Sequence, residues 1–396
     1  MGHSVIIVTS QKENFEWNGV REFCGFKVFY LSLPELYRCT TWPTFYGSLI
    51  ELMRIFTMEG IDIVHAHQAF SPLGHEAILH ARSMGLPTVF TDHSLFRFED
   101  FSSITTNQWL RMTLGDVGRV ICVSHCSKEN TVLRASLDPS HVFVIPNAVD
   151  AVAFKPQAEN LSSILTVVVL SRLVYRKGVD LLVALIPIIC AKNPQVHFLI
   201  GGDGPKRIDL EQMRERHQLH ARVRLVGAVP TQEVPSFLRQ GHIFLNCSLT
   251  EAFCMAILEA ACCGLRVVST GVGGVPEVLP PHMIRLARAE VGDLIHQLSR
   301  CIQEYAPPVN ASEHHQQLTA VYDWQDVARR TLAVYYEVIE GECGESSLDV
   351  RLRKALSAGP YGGIAWALLV ALDCFLVFYL RVLFSYRKPH GSKPKK

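Results

Sequence analysis

Thr166-Val167-Val168-Val169-Leu170-Ser171-Arg172-Leu173-Val174-Tyr175-Arg176-Lys177-Gly178-Val179 decides the fold class. Residues 166–170 are a short continuous β-branched run, the mark of a strand buried on both faces. A polar turn follows, and a helical pattern starts at Val179. Strand, turn and helix in immediate succession make a βα unit, and repeated units of this kind build a parallel sheet covered by helices. Arg172 and Lys177 flank the turn, where a helix N-terminus already favours phosphate. An arginine there can grip two oxygens, and a lysine supplies a compact point charge. Taken singly, either residue reads equally well as part of a solvated basic loop.

Outward from this unit the pattern repeats. Residues 196–200 form a second apolar run that enters Gly201-Gly202-Asp203-Gly204-Pro205. Such a turn lets backbone approach a ligand closely, which makes Gly202 and Gly204 candidate binding positions, although a glycine run alone is weak evidence. Residues 223–225 lead to Gly227. Residues 243–246 lead to Thr250-Glu251-Ala252-Phe253-Cys254-Met255-Ala256-Ile257-Leu258-Glu259-Ala260-Ala261-Cys262-Cys263-Gly264, and residues 266–270 to Gly271-Val272-Gly273-Gly274-Val275-Pro276-Glu277.

The stretch 250–264 reads as one helix, apolar nearly all round, closed by Gly264 in the left-handed conformation. On that reading Glu251 and Glu259 lie roughly 12 Å apart along the axis and about 80° apart around it. That separation suits a ligand as long as a sugar nucleotide. Negative charge at a helix start is stabilised by the dipole, which is enough to explain Glu251. Glu259 is different, because Ile257, Leu258, Ala260 and Ala261 surround it. A carboxylate among core residues finds a partner or shifts its pKa.

The N-terminal third carries the same alternation. Strands are expected at 5–9, 26–31, 61–65, 88–91, 120–123 and 142–145, with helices at 49–56, 74–84 and 127–135. Thr91-Asp92-His93-Ser94 sits just past the carboxyl end of a strand, where open α/β sheets place ligand-binding residues. That position ranks His93 above an ordinary structural histidine. His65 and His67 end a neighbouring strand, and with no third ligand nearby their spacing makes a poor zinc site. Residues 147–156 read as the crossing between a domain at 1–150 and a second at 151–340.

The chain is 396 residues long, enough for two domains of ordinary size. Lys and Arg number 38 against 37 Asp and Glu, so no nucleic-acid footprint is indicated. Twelve cysteines occur without C-x-x-C or zinc spacing, a usage that suits a reducing compartment. No D-x-D, P-loop lysine motif or G-x-S-x-G occurs.

Residues 322–339 read as a long amphipathic helix, and 341–361 as a linker. Residues 362–384 contain only Asp373 and Arg381 as charges, and about 20 apolar residues span a bilayer. One transmembrane helix is expected there, followed by a basic tail at 385–396. Asp373 near the helix centre would cost about 2.5–3.5 kcal/mol on insertion scales, so a contact with another membrane subunit is expected.

Taken together, Arg172 and Lys177, the Gly201–Gly204 turn, Glu251-x7-Glu259 and Gly273-Gly274-Val275-Pro276-Glu277 resemble the retaining GT-B glycosyltransferases of the E-x7-E type. The order and spacing match over roughly residues 150–340. Within that class, Phe90-Thr91-Asp92-His93-Ser94-Leu95-Phe96, the 171–178 turn and residues 249–256 are similar to the catalytic subunits of the phosphatidylinositol N-acetylglucosaminyltransferases. The resemblance covers nearly the whole chain.

That resemblance implies two Rossmann-like doubly wound domains facing a cleft, plus the C-terminal membrane helix. It implies that Arg172 and Lys177 hold the diphosphate of UDP-GlcNAc, Glu259 the ribose, and that Gly202 and Gly204 belong to the donor site. Glu251 would face the donor sugar and His93 would lie near the reacting carbon. No metal or other cofactor is required. The acceptor would be phosphatidylinositol, the partners other membrane subunits of a GlcNAc-transferase complex, and the place the endoplasmic reticulum membrane with the catalytic domains cytosolic.

In that family a strand, a glycine-rich turn of the Gly-Gly-Val-Glu kind and a helix come first. Met1-Gly2-His3-Ser4-Val5 reads instead as the entry to the second strand, so the first βα unit is expected to be missing. Two alternatives share these residues. One is another membrane-anchored GT-B enzyme; the other is a non-catalytic UDP-binding subunit.

Overall fold

A computed structural model of the chain describes residues 2–10, 19–33, 35–37, 40–41, 44–95, 101–156, 164–305, 311–341 and 347–384. Phe96, residues 342–346 and the basic tail at 385–396 lie outside the described residues. The chain divides into two compact units, Met1–Cys122 with Lys128–Val144 and Thr331–Lys396, and Val123–Ser127 with Ile145–Arg330. The crossing at Ile145 lies close to the boundary read at residue 150. The chain then returns to the first unit at Thr331, so everything from there to the C-terminus belongs to it.

In the first unit, β1 (Ile6–Ser10), β2 (Gly19–Phe23) and β3 (Phe26–Leu31) form one sheet, with β1 parallel and β2 antiparallel to β3. Cys24 and Gly25 turn this hairpin with positive φ at both positions, the geometry whose twist matches the flanking strands. A small ribbon, β4 (Glu35–Tyr37) and β5 (Thr40–Thr41), precedes α1 (Leu49–Met58). Then come β6 (Val64–His67), α2 (Pro72–Met84), β7 (Thr88–Asp92), α3 (Phe101–Leu114), β8 (Arg119–Cys122), α4 (His125–Ala135) and β9 (Val142–Val144). These four strands are parallel and adjacent in chain order.

The strands of this unit thus lie in separate sheets where repeated βα units led us to expect one. A single core reaches both main sheets through Leu31, Leu52, Phe56, Val64, Leu73 and Val377. Helix α2 is set by local signals: Ser71 Oγ accepts the Gly74 N–H at 3.1 Å, Pro72 follows, and Gly85 closes the helix at φ 78°.

The second unit contains β10 (Leu165–Leu170), α5 (Val179–Lys192), β11 (Val196–Gly201), α6 (Arg207–Arg216), β12 (Val223–Gly227), α7 (Val234–Leu238), β13 (Ile243–Asn246), α8 (Met255–Cys262), β14 (Arg266–Thr270), β15 (Ile284–Ala287), α9 (Val291–Gln303) and α10 (Ala311–Val321). All six strands are parallel, in the order β12-β11-β10-β13-β14-β15. The order reverses between β10 and β13, and open sheets of this kind bind ligands outside the strand ends at that reversal. Val167, Leu185, Ile186, Phe198, Ile243 and Leu294 are buried beneath it. Side chains of this kind contribute about 1.5–3 kcal/mol each.

The expected helix at 250–264 is shorter. Cys254 adopts φ 72°, a left-handed turn, and α8 starts only at Met255. Glu251 therefore lies in the loop before the helix, and the axial separation from Glu259 read on a continuous helix does not apply. The other end is as expected. Gly264 takes φ 88°, its N–H bonds Ala261 O at 3.0 Å, and Leu265 N–H bonds Ala260 O at 3.1 Å, a Schellman closure.

Three helices end the chain: α11 (Trp324–Gly341), α12 (Leu348–Leu356) and α13 (Gly362–Phe384). The stretch read as linker contains α12, whose Arg351 is buried and donates from Nε to Asp116 Oδ2 at 2.6 Å. Residues 362–383 are long and apolar enough to cross a membrane. The expectation that Asp373 contacts another subunit is corrected. It is fully buried, and its Oδ1 lies 2.7 Å from His80 Nδ1 on α2. One face of α13 packs on the first unit through Trp366, Val370, Asp373 and Val377, while Leu368, Phe375, Phe378 and Val382 on the other face are exposed.

Candidate active site

In the second unit, the β10–α5 turn carries Arg172 and Lys177. Residues 175–177 make a single tight helical turn, and Gly178 starts α5 at φ 67°. A Cβ at Gly178 would lie 1.8 Å from Cys247 O, so only glycine fits. Arg172 is exposed and forms no ion pair among the described residues. Lys177 is half-buried and its Nζ pairs with Glu251 Oε1.

The glycine turn after β11 is built for contact within the unit. A Cβ at Gly202, where φ is 127°, would lie 1.8 Å from Ser171 O, and one at Gly204 would lie 2.4 Å from Leu173 O. Leu173 N–H donates to Asp203 O at 2.9 Å. The missing side chains let this turn pack directly against the backbone that bears Arg172. Gly202 and Gly204 thus shape the site by setting the position of its neighbour.

Glu251 is held from three sides. Ser248 Oγ lies 2.7 Å from Oε1, Lys177 contacts the same oxygen, and the backbone carbonyl accepts the Gly274 N–H at 3.0 Å. Ser248 Oγ is also 2.8 Å from Asn246 Oδ1, and Asn246 Nδ2 donates to Ser269 Oγ at 2.9 Å. A polar chain from the ends of β13 and β14 thus runs to the Glu251 carboxylate, and sequence reading had assigned neither Ser248 nor Asn246. Gly274 packs closely too, since a Cβ there would meet Ala252 O at 2.1 Å. Glu277, from the same turn, accepts the His125 and Cys126 N–H groups at 2.6 and 2.9 Å.

Glu259 on α8 is half-buried, and its carboxylate has no hydrogen bond or ion pair among the described residues. Burial pushes its pKa up. A half-buried carboxylate without partners costs some stability and can accept hydroxyl donors.

In the first unit, β7 ends on Asp92, which is fully buried. Its Oδ1 accepts from Ser94 N–H at 2.9 Å and from Ser94 Oγ, and its Oδ2 accepts from Thr131 Oγ1 at 2.9 Å. Asp92 therefore anchors the turn that presents His93. The His93 ring is exposed, and its Nε2 lies 3.2 Å from His67 Nδ1. Burial lowers the His93 pKa, partly opposed by Asp92. His65 is bound on both nitrogens, to Tyr335 OH at 2.6 Å and Thr91 Oγ1 at 2.7 Å. Burial and the two neighbouring histidines push its pKa down to about 3. Among the described residues no metal-binding group forms around these rings.

Known proteins share the sequence and the fold. Residues 13–100 match the family model for PIGA (GPI anchor biosynthesis), and residues 164–304 match glycosyl transferases group 1. The chain is 50% identical to a phosphatidylinositol N-acetylglucosaminyltransferase subunit of Arabidopsis thaliana, over 97% of this chain and 85% of that relative. The chain belongs to the PIGA family. The human protein of the same name is also 50% identical, over 96% of this chain and 78% of its own length. Among solved structures, the PIGA-family fold superposes on sucrose-phosphate synthase from Thermosynechococcus elongatus with TM-score 0.70, at 20% identity, covering 86% of this chain and 90% of that one. Anabaena HepE, solved with UDP and glucose, gives TM-score 0.64 at 21% identity, covering 79% and 86%. These likenesses place the PIGA-family chain in the GT-B glycosyltransferase fold.

Proposed function

We propose that the chain transfers N-acetylglucosamine from UDP-GlcNAc to phosphatidylinositol with retention of configuration, the first step of GPI-anchor synthesis. The observation that carries the donor assignment is Glu259, a half-buried carboxylate with no partner among the described residues. Ribose hydroxyls supply the donors it lacks. Arg172 and Lys177 take the diphosphate, at the strand reversal where such sheets bind ligands.

As the bond between the anomeric carbon and the β-phosphate oxygen breaks, negative charge grows on that phosphate. Preorganised cations stabilise the charge as it develops. No divalent ion is required in this scheme. An inositol hydroxyl attacks the face that UDP leaves, and its proton passes to the departing phosphate oxygen. Glu251 holds the donor sugar, with Lys177 exchanging its carboxylate for phosphate when the donor arrives. His93 is assigned to the reacting centre.

We assign the chain to the endoplasmic reticulum membrane as one component of a larger transferase, with both units cytosolic. Helix α13 makes the membrane contact. Because His80 and Asp373 bind it along α2, the face carrying Leu368, Phe375, Phe378 and Val382 is the one available to lipid.

The test is transfer of radiolabelled GlcNAc from UDP-GlcNAc to phosphatidylinositol, in membranes that express this chain in place of the endogenous transferase chain. Product that is lost in Glu251→Ala, Arg172→Ala and Glu259→Ala supports the reading. A stable chain that binds UDP and yields no product overturns it.

A further inference from the structure

The histidines that end β6 have no part in the donor chemistry above, yet they make a connected array with His93. Thr91 and Tyr335 fix both nitrogens of His65, so that ring cannot turn. His67 stacks on it with centroids 4.3 Å apart and an interplanar angle of 23°. The rings of His67 and His93 are nearly parallel at 16°, with centroids 5.5 Å apart, and His67 Nδ1 faces His93 Nε2 at 3.2 Å. Nearly parallel rings joined by a short N···N approach suit a hydrogen bond, because the imidazole lone pair and N–H both lie in the ring plane.

We propose that His67 is a positioning residue for His93, fixing its ring orientation and tautomer so that Nδ1 is the nitrogen presented to ligand. This rests on the reading above that His93 serves the reacting centre. A neutral imidazole has one N–H and one lone pair, and the hydrogen bond at one nitrogen sets the state of the other. If His67 donates, His93 Nδ1 carries the proton, and if His93 donates, Nδ1 holds the lone pair, so the contact couples the two tautomers and commits Nδ1 to one state in each. Burial, reinforced by His93, pushes the His67 pKa down to about 4, and burial lowers that of His93, so both rings are neutral near pH 7. Both keep an exposed face, as a ring that meets a ligand must.

The array also explains the length of the support. His67 is exposed and would swing freely if alone; stacking on the doubly bonded His65 restrains its ring. The restraint begins at Tyr335 on α11, in the stretch where the chain has returned to the first unit.

The experiment uses the full chain in the membrane assay, with product per chain and the KM for UDP-GlcNAc measured separately. His67→Ala is expected to lower the maximal rate roughly 10- to 100-fold, the scale of a misplacement of about 1 Å, while KM stays within about 2-fold. His67→Asn places an amide atom close to the Nδ1 position and is expected to restore most of the rate. Adding His67→Ala to His93→Ala is expected to cause no further loss, because the second residue acts only through the first.

A His67→Ala chain with wild-type rate, beside a severe His93→Ala, overturns the positioning role and leaves the reading of His93 intact. So does a double variant whose losses multiply, or an Asn variant no better than Ala. A silent His93→Ala in an active chain overturns the reading of His93 and this proposal with it. Chain levels in each membrane, and melting of the detergent-purified variants, separate these outcomes from misfolding.

Discussion

Lys177 and Glu251 are partners: the Lys177 ammonium contacts the same carboxylate oxygen that Ser248 Oγ approaches at 2.7 Å. Two residues assigned to different parts of the donor thus contact each other. Their effects must then be coupled. Lys177→Ala and Glu251→Ala should each lower transfer, and the double variant should lose less than the product of the two losses. A coupling of about 0.5–3 kcal/mol is expected for residues in contact. Rates of transfer for the four chains of this cycle provide the check, and strict additivity would show that the two side chains do not act through their contact.

Glu259 should separate binding from stability. Removing a hydrogen bond made by a charged group costs about 1.5–3 kcal/mol, which corresponds to a KM for UDP-GlcNAc raised roughly 10- to 100-fold in Glu259→Gln. The same change removes a half-buried, unpaired charge, so the purified variant should melt at or above the wild-type temperature. Because burial raises the Glu259 pKa, the carboxylate is lost on acidification at a higher pH than an ordinary one. Donor KM should therefore climb as pH falls in the wild type and stay flatter in Glu259→Gln.

Much of this was legible because strand burial leaves a direct trace. The strands at 243–246 and 266–270 have the expected limits and are buried on both faces, and 26–31 has them too although Phe26 and Lys27 are exposed. The same logic misled at 250–254. Ala252 and Phe253 are buried, and that made a loop look like the first turn of a helix. Only the left-handed Cys254 separates the two, and nothing in the residue type announces it. Glu259 stood out because a carboxylate inside an apolar helix has few structural excuses, whereas Arg172 and Lys177, taken singly, read equally well as a solvated basic loop. The His65–Tyr335 contact and the Asp373 partner join residues far apart in sequence, and periodicity carries no signal for such pairs; Ser248 and Asn246 lie close to Glu251 in the chain, but short polar residues in a loop have no period to mark them.

Gly202→Ala should damage the site without touching a ligand. The new Cβ would lie 1.8 Å from Ser171 O, at a φ of 127° that side chains rarely adopt. The turn bearing Arg172 must move, and strain of about 1–3 kcal/mol per such residue is expected. Lower melting temperature together with raised donor KM is the expected outcome in purified chain. Unchanged values for both would mean that the two turns are not in contact.

Acid should destabilise the first unit before ordinary carboxylates protonate. His75 is buried, with Nε2 3.0 Å from Ala69 O, and burial pushes its pKa down to about 4. The unfolded chain binds a proton near pH 6.5 that the folded chain refuses until about 4. Stability is therefore complete above pH 6.5 and lost as pH falls through that window, by about 3 kcal/mol for this residue. His65 adds to the same slope in the same direction. Thermal unfolding at pH 7.5 and pH 5 should show the fall, and His75→Gln should flatten it even if its own melting temperature is lower.

The link between His80 and Asp373 decides whether α13 is part of the first unit or merely attached to it. Both side chains are fully buried, 293 residues apart in sequence, and they meet at 2.7 Å. Arg351 and Arg381 support the same seam, the first with Nη1 3.1 Å from Cys374 Sγ on α13 and the second donating to Met84 O at 2.7 Å. Removing one member of a buried polar pair leaves the other unsatisfied, at about 1–3 kcal/mol. Replacing both by apolar groups of similar size can be nearly neutral. His80→Leu and Asp373→Leu should each lower the melting temperature of the detergent-solubilised chain, and the double variant should recover most of the loss. If α13 instead leaves the unit to lie wholly in lipid, Asp373→Leu alone should be stabilising, because the membrane then gains an apolar residue where it held a carboxylate.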